Sequence, residues 1–203
     1  MNSLITERIK DSAATKDQTL TPTFPRNILF ELTNACNHAC IFCYNRSMRR
    51  KRGQLNKQLY SRLIAEAYAL GAREAGFATT GEAFASPDLF DCVAEAKSIG
   101  FEYTYLSTNG ALLTEAKVEQ LFACGLDSIK FSINAGNRES YRHIHGRDDF
   151  EHVVAIVRLI HKRRRELSKN IKLFSTTILT SETKNEGYEL RKELGGCFDD
   201  MPG

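Results

Sequence analysis

The sequence predicts an α/β fold in which parallel strands form a partial barrel that is open or truncated after about five βα units. Two observations predict this fold. Short apolar runs alternate with segments of helical periodicity, and this order implies a parallel sheet with right-handed crossovers. The chain of 203 residues is also shorter than the roughly 250 residues of a closed eight-stranded barrel.

The predicted strands are short apolar or aromatic runs, as expected when a parallel sheet is covered on both faces. The run at 101–107 is rich in aromatic residues, whereas Gly76 makes the run at 74–80 a weaker strand candidate. The predicted strands are 27–33, 74–80, 101–107, 127–133 and 171–179.

The predicted helices have apolar residues at helical spacing and recognisable ends. Ser86 and Pro87 suit an N-cap followed by the first helical residue, and Thr114 can cap the next helix. Gly71, Gly100 and Gly125 follow the last periodic residues of three segments. The predicted helices are 59–70, 86–99, 114–124, 150–160 and 186–194.

Composition excludes several classes of protein. The apolar share of 42% and the charged share of 26% are ordinary for a globular domain. A net charge of +3 and the absence of tryptophan disfavour a nucleic-acid binder. The sequence has no run of about 20 apolar residues and no secretory signal, so we expect a cytoplasmic protein without a membrane partner.

We expect two regions along the chain. Residues 1–23 are polar, mixed in charge and without periodicity, as in a loose leader or lid, and residues 24–203 form the core domain. The segment 195–198 resembles the lead-in to a further strand. The sheet therefore either ends there or belongs to a longer protein.

A cluster of thiols follows the first predicted strand, because Cys36, Cys40 and Cys43 lie within eight residues. Ligands bind at the carboxyl ends of parallel strands, so a cofactor is expected at this loop. Three thiolates suit a [4Fe–4S] cluster with one open iron, whereas a structural zinc site needs a closed set of ligands. His38 is an alternative fourth ligand, although we expect it to pack or hydrogen-bond within the loop. Three thiols without a metal are disfavoured because such thiols are open to oxidation.

The spacing Cys36-x3-Cys40-x2-Cys43, with Phe42 before the last cysteine, resembles the signature of the radical S-adenosylmethionine (SAM) superfamily. The resemblance extends over about 27–194 and implies a partial (β/α)6-like radical SAM barrel. It is greatest for the branch that often carries a C-terminal SPASM or twitch region with auxiliary clusters. That region is not apparent here, because the other cysteines, at 92, 124 and 197, lack clustered spacing.

Polar motifs after the next three strands also resemble this family. Thr80-Gly81-Glu82 resembles its Gly-Gly-Glu motif, which binds the amino group of SAM, with threonine in place of the first glycine. Ser107-Thr108-Asn109-Gly110 resembles its Ser-Thr-Asn-Gly turn, and Ser132-Ile133-Asn134-Ala135 resembles Ser-Leu-Asp-Ala/Gly, with asparagine replacing the acid. Each motif alone could be an ordinary loop turn. The implied SAM contacts are Phe42, Thr80, Gly81, Glu82, Ser107, Asn109, Ser132 and Asn134, and the implied iron ligands are Cys36, Cys40 and Cys43.

The resemblance implies an iron–sulfur enzyme, oxidoreductase or maturase-like, that cleaves SAM reductively to methionine and a 5′-deoxyadenosyl radical. The radical abstracts hydrogen from a substrate, and a donor such as flavodoxin or ferredoxin supplies the electron. The implied substrate is a peptide or protein. The alternatives are a small molecule, such as a sugar or cofactor precursor, and a non-catalytic zinc or iron–sulfur binding module.

Two basic runs remain. The run at 46–52 follows the cysteine loop and could attract an acidic substrate or a leader peptide. The run at 161–165 ends a predicted helix, where cations complement the helix dipole, so we interpret it as a solvated cap.

Overall fold

The computed structural model describes Glu7 and residues 23–201. Apart from Glu7 and Thr23, the expected leader at 1–23 therefore lies outside the described residues, as do residues 202–203.

Five parallel strands form the sheet and pair in their order along the chain. Sequential order is the arrangement of a βα barrel, in which right-handed crossovers place the helices on one face. The five strands in the described residues do not close into a barrel, so the predicted open α/β fold is confirmed. The strands are β1 (Asn27–Leu29), β2 (Glu74–Phe77), β3 (Tyr103–Thr108), β4 (Ser128–Ser132) and β5 (Lys172–Thr176).

Six helices of at least eight residues lie in the described part of the chain. Two of the predicted helix ends, the N-cap at Thr114 and the stop at Gly100, are confirmed. The Thr114 side chain accepts a hydrogen bond from the Lys117 N–H, and Gly100 ends its helix with a φ of 117°. The helices are α1 (Lys57–Ala69), α2 (Leu89–Ile99), α3 (Glu115–Ala123), α4 (Arg138–His145), α5 (Phe150–Glu166) and α6 (Glu186–Leu194).

The predicted start of α2 is wrong. Ser86 ends a short 3-10 turn at Ala83–Ala85, and α2 begins only after Asp88. The Ser86 N–H donates to Ala83 O, and the Ser86 hydroxyl accepts from Gln54. The Ser86 hydroxyl therefore bonds to Gln54, and Asp88 occupies the N-cap position of the helix.

Helix α4 was not predicted. Its sequence is mostly polar, but it forms a short amphipathic helix. The Asn137 side chain caps this helix by accepting a hydrogen bond from the Ser140 N–H. Gly146, with a φ of 68°, ends it. Tyr141 and Ile144 are buried, so packing selects the helix where the charged sequence gave little periodic signal.

The strands are shorter than predicted at their carboxyl ends. The runs at 27–33, 74–80 and 171–179 leave the sheet after Leu29, Phe77 and Thr176. Their last residues instead form loops at the carboxyl edge of the sheet.

The segment after α6 returns to the sheet. Following a 3-10 turn at Gly195–Cys197, Asp200 forms a parallel bridge with Phe174 of β5. The Ser175 N–H donates to Asp200 O at 3.2 Å, and the Asp199 N–H donates to Leu173 O at 2.8 Å. The segment 195–198, which was expected to lead into a further strand, is thus followed by one parallel bridge beside β5.

The core lies between the sheet and its helices. Leu106, Ile129 and Leu173 from three strands are almost fully buried, as are Val153 and Val157 of α5. None of the helices in the described residues combines the length and the apolar character that crossing a membrane requires.

We expect Ile129→Ala to lower the free energy of unfolding by about 2–5 kcal/mol, because it leaves a cavity in a fully buried site. Urea denaturation measures this loss. The control is Leu70→Ala, at a side chain that is 62% exposed, which should change stability by less than about 0.5 kcal/mol. Equal effects of the two variants would contradict this account of the core.

Candidate functional site

A cavity of about 490 Å³ opens at the carboxyl ends of the strands, the edge at which parallel sheets bind ligands. Its volume is within the range of small-molecule sites. All the residues that the sequence analysis proposed for the site line it. They are Cys36, Cys40, Phe42, Cys43, Thr80, Gly81, Glu82, Ser107, Asn109, Ser132 and Asn134.

The cysteine loop is anchored to the end of α4. The Ala39 N–H donates to His145 O at 3.1 Å, and the Ile41 N–H donates to Ile144 O at 3.0 Å. These two bonds flank Cys40 and use carbonyl groups that the last turn of a helix leaves without intrahelical partners. Cys40 is therefore fixed by the backbone on both sides.

Each of the three sulfurs has a nitrogen atom within hydrogen-bond distance. The backbone N–H of His38 donates to Cys36 Sγ, and that of Asn45 donates to Cys43 Sγ, both at 3.5 Å. Cys40 Sγ lies 3.2 Å from Nδ1 of His145. Donors that surround a sulfur favour its anionic form, so this loop suits thiolates.

Burial acts in the opposite direction on two of these thiols. It raises the pKa of Cys36, and it raises the pKa of Cys40 to about 12. Burial therefore favours the protonated form of both thiols. A metal that binds them must displace those protons, and metal binding is coupled to proton release.

A buried asparagine ties the cysteine loop to the neighbouring strand ends. The Asn45 side chain donates to Asn34 O and to Thr80 O, both at 2.9 Å. Arg52 donates to the Asn45 side chain at 3.0 Å and to Asn34 O at 3.1 Å. The loops that follow β1 and β2 are consequently held as one unit.

The Gly81 backbone runs against the loop that precedes the cysteines. A Cβ atom at this position would lie 2.7 Å from Ala35 O and still closer to Thr33 O. The N–H of the following residue, Glu82, donates a hydrogen bond to Ala35 O at 2.8 Å. Only glycine permits this approach of two backbones.

Glu82 is buried, with 3% of its surface exposed, and joins the loops after β2 and β3. Its carboxylate accepts from the Thr108 hydroxyl at 2.6 Å, from the Asn109 N–H at 2.8 Å and from the Phe84 N–H at 3.2 Å. Burial raises the pKa of this carboxyl group, while the three donors act against that rise. These bonds use three of the roughly four acceptor positions of a carboxylate.

Two asparagines at the cavity are also engaged in the protein. The Asn109 side chain donates to Asn37 Oδ1 at 2.9 Å and accepts from the Ala111 N–H at 2.9 Å. Asn134 Oδ1 accepts from the Ile178 N–H at 2.8 Å and so joins the end of β4 to the loop after β5. An amide at 134 therefore fills a structural role here through its oxygen.

Other polar groups at the cavity remain free. Ser107 and Ser132 line it, and neither hydroxyl bonds to a residue in the described part of the chain. Lys130 also lines it, and no carboxylate of the described residues pairs with this lysine. Burial lowers the pKa of Lys130. A ligand with an anionic group would find donors at these three positions.

His38 does not hydrogen-bond through its side chain within the loop. Its Nε2 lies 3.1 Å from Asp149 Oδ2, beside the start of α5, and its Nδ1 is buried without a partner among the described residues. The ligand atoms of His38, Cys40 and His145 lie within 4.8 Å of one another. These three residues are an alternative metal set that shares Cys40 with the cysteine cluster.

Sequence reasoning missed Asn45, Lys130 and His145 as parts of the site. The alternation in the β4 run places Lys130 on the same face as Ser132, so that signal was present. His145 lies on the unpredicted helix, and no local pattern indicates the role of Asn45. The basic run at 161–165 was expected to be a solvated cap. Two of its residues are instead partly buried and paired, Arg163 with Glu119 and Glu166, and Arg164 with Asp199.

Comparisons with known proteins agree with this geometry. The family model of the radical SAM superfamily matches residues 30–194. PqqA peptide cyclase of Gluconobacter oxydans is 36% identical over 112 residues, which are 55% of this chain and 31% of that protein. GTP 3′,8-cyclase of Chlorobaculum tepidum is 32% identical over 142 residues, which are 68% of this chain and 42% of that protein.

Among solved structures, SuiB of Streptococcus suis bound to its precursor peptide SuiA has the same fold, with a TM-score of 0.75 at 15% identity. The likeness covers 97% of this chain and 43% of that one. This chain thus spans between 31% and 43% of the length of these three proteins.

The matched region 30–194 begins directly after β1 and contains strands β2 to β5, the cysteine loop and all six helices. It also contains every residue proposed for the cavity. The chain belongs to the radical SAM superfamily, a family whose cofactors are a [4Fe–4S] cluster and SAM.

Proposed function

We propose that this chain is the core of an enzyme in which a bound [4Fe–4S] cluster supplies the electron that cleaves SAM, giving a 5′-deoxyadenosyl radical that abstracts hydrogen from a substrate. One observation carries the proposal. Three cysteines, each with a nitrogen atom within hydrogen-bond distance of its sulfur, meet the polar ends of β2, β3 and β4 in one cavity.

The donor set of the cavity suits such a cluster. Cys36, Cys40 and Cys43 would hold three irons, and the other cysteines of the chain do not line the cavity. A fourth iron would therefore keep a position for a small molecule, as catalytic metals do. The N–H groups at the sulfurs would compensate the negative charge of the thiolates.

Different residues would hold SAM. Gly81 holds the loop after β2 against the loop before the cysteines and so shapes the cavity wall, and Phe42 would support the adenine. Ser107, Ser132 and Lys130 offer free donors for hydroxyl and carboxylate groups. Glu82 has one acceptor position left for an ammonium group, and its main role is to hold the loops around the cavity.

We propose a peptide or protein as the substrate. PqqA peptide cyclase and peptide-bound SuiB are among the proteins to which this chain is similar. Arg46, Arg49 and Lys51, which we call the basic loop, are exposed, and none of them pairs with an acidic residue of the described chain. An acidic peptide would be attracted there. The similarity to GTP 3′,8-cyclase favours the small-molecule alternative.

The wider setting follows from the same proposal. Residues 24–203 would form the core and residues 1–23 its leader. A reduced cluster requires an electron donor such as flavodoxin or ferredoxin. A reducing compartment such as the cytoplasm keeps thiols available for iron.

Anaerobic reconstitution with iron and sulfide tests the proposal. We expect a brown protein with four irons per chain that produces 5′-deoxyadenosine from SAM when dithionite is added. Cys36→Ala, Cys40→Ala and Cys43→Ala should each lose the cluster and reduce product to the level without enzyme, because each removes one of the three ligands.

Cys197→Ser is the matched control, because this half-buried thiol lies outside the cavity, and it should keep both iron and activity. A colourless protein that binds zinc and leaves SAM intact would overturn the proposal. That result would favour a non-catalytic module, with His38, Cys40 and His145 as candidate ligands.

We expect Gly81→Ala to reduce SAM affinity of the reconstituted protein by about tenfold, equivalent to about 1.4 kcal/mol, because the Cβ atom meets two backbone carbonyls that cannot yield. Equilibrium binding of SAM measures it. Gly53→Ala is the control, because a Cβ atom there has no neighbour within 4 Å. Unchanged SAM affinity in both variants would show that Gly81 is not needed for SAM binding.

We expect reversal of charge at Arg46, Arg49 and Lys51 to weaken binding of an acidic peptide. The effect should be largest at low ionic strength, because exposed charges are screened by salt. Fluorescence anisotropy with a labelled polyglutamate peptide at two salt concentrations measures it.

A control with the same change of charge reverses Lys162, Arg165 and Lys169. These residues lie at the end of α5 and just after it, at the opposite edge of the sheet from the cavity. This variant should bind the peptide as the unmodified protein does. Equal weakening in both variants would show that binding depends on net charge alone. The basic loop would then have no specific role in binding the substrate.

A further inference from the structure

His145 is buried, with 1% of its surface exposed, and contacts a proposed cluster ligand through one ring nitrogen and the protein backbone through the other. Nδ1 lies 3.2 Å from Cys40 Sγ. Nε2 lies 3.3 Å from the backbone nitrogen of Asn134, which donates to it. Both contacts are made inside the protein, at the last residue of α4.

The second contact determines the tautomer of the ring. A backbone N–H can only donate, so Nε2 of His145 must accept and carries no proton. A neutral imidazole has one N–H, which is therefore on Nδ1 and faces Cys40 Sγ. In a doubly protonated ring, the Nε2–H group would face the Asn134 N–H group, and neither could accept a hydrogen bond.

The same argument weighs against the alternative metal set. An ion bound to His145 Nδ1 would need that nitrogen without its proton. The proton would then sit on Nε2, where it would face the Asn134 N–H and leave that buried donor without an acceptor. The hydrogen bonds of the metal-free protein thus prepare His145 to donate to a sulfur.

We propose that His145 is a positioning residue that donates an Nδ1–H···S hydrogen bond to the Cys40 thiolate and raises the reduction potential of the cluster. This inference rests on the proposed function. A cluster that gains one electron from a low-potential donor places more negative charge on its sulfurs, and a hydrogen bond to a more negative sulfur is stronger. Hydrogen bonds to the sulfurs are one of the factors that set the potentials of iron–sulfur clusters.

Of the nitrogen atoms that the described residues bring to the three sulfurs, Nδ1 of His145 is the nearest. Those at Cys36 and Cys43 are backbone groups at 3.5 Å, and the Asn109 side chain is 3.9 Å from Cys36 Sγ. The bonds that anchor the cysteine loop to α4 use the carbonyl oxygens of Ile144 and His145. Replacing the His145 side chain therefore removes the donor and leaves the anchor in place.

The test is a potentiometric titration of the reconstituted protein, followed by electron paramagnetic resonance of the reduced cluster. We expect His145→Leu to make one-electron reduction less favourable by about tenfold, which lowers the midpoint potential by 59 mV. His145→Asn should restore most of the shift, because its amide nitrogen is as many bonds from Cα as Nδ1 is. His143→Leu, at the exposed histidine of the same helix, should titrate as the unmodified protein does.

Equal potentials of His145→Leu and the unmodified protein would overturn the inference, as would a His145→Asn variant that behaves like His145→Leu. If His145→Leu takes up no cluster, a measurement on the metal-free protein decides, because that measurement needs no cluster. A purely structural role would change cluster content in these variants without changing the potential.

A second measurement uses the metal-free protein and does not depend on the cluster. Nitrogen-15 NMR of histidine-labelled protein should show the proton of His145 on Nδ1, with the signal assigned from its loss in His145→Leu. A proton on Nε2 would overturn the inference. Failure of the unmodified protein to load iron or cleave SAM would instead overturn the proposed function, so the two failures are distinguishable.

Discussion

The site depends on the attachment of the cysteine loop to the last turn of α4. Two backbone hydrogen bonds, from Ala39 and Ile41, fix the loop on either side of Cys40. Helix α4 is fixed in turn by Glu186 at the start of α6, whose carboxylate accepts from the Gly136 N–H at 2.6 Å and the Ser140 hydroxyl at 2.9 Å. The thiols follow the first strand of the sheet, but their positions depend on α4, and the position of α4 depends on its bonds to α6.

Several polar residues at the cavity hold its walls together. Glu82 accepts from the loop after β3, Asn134 accepts from the loop after β5, and Asn45 joins the loops after β1 and β2. Each of these side chains satisfies buried backbone groups that no strand or helix can pair, and such groups are costly when left alone. The loops around the cavity are therefore held together by side chains at or just behind its walls.

Much of this architecture could be predicted from local sequence. The cysteine spacing, the cap at Thr114, the stop at Gly100 and the helix at Glu186–Leu194 depend on residues within a few positions of one another. The remainder depends on contacts across the chain. Nothing near Ser86 reveals that Gln54 bonds to its hydroxyl, and nothing near Glu82 reveals three donors that reduce its capacity for a ligand. Helix α4 escaped prediction because packing against neighbouring elements stabilises it.

The free polar groups of the cavity lie apart from those supports. Ser107 pairs in register with Lys130, and Ser132 pairs with Thr176, so these side chains occupy two neighbouring rows of the sheet at its carboxyl edge. They contact no structural partner that the fold requires, while the backbone beneath them is held by the sheet ladder. Substitutions in these two rows can change what the cavity accommodates and leave folding intact. In a scaffold divided in this way, the groups that face a ligand can vary independently of the bonds that hold the loops.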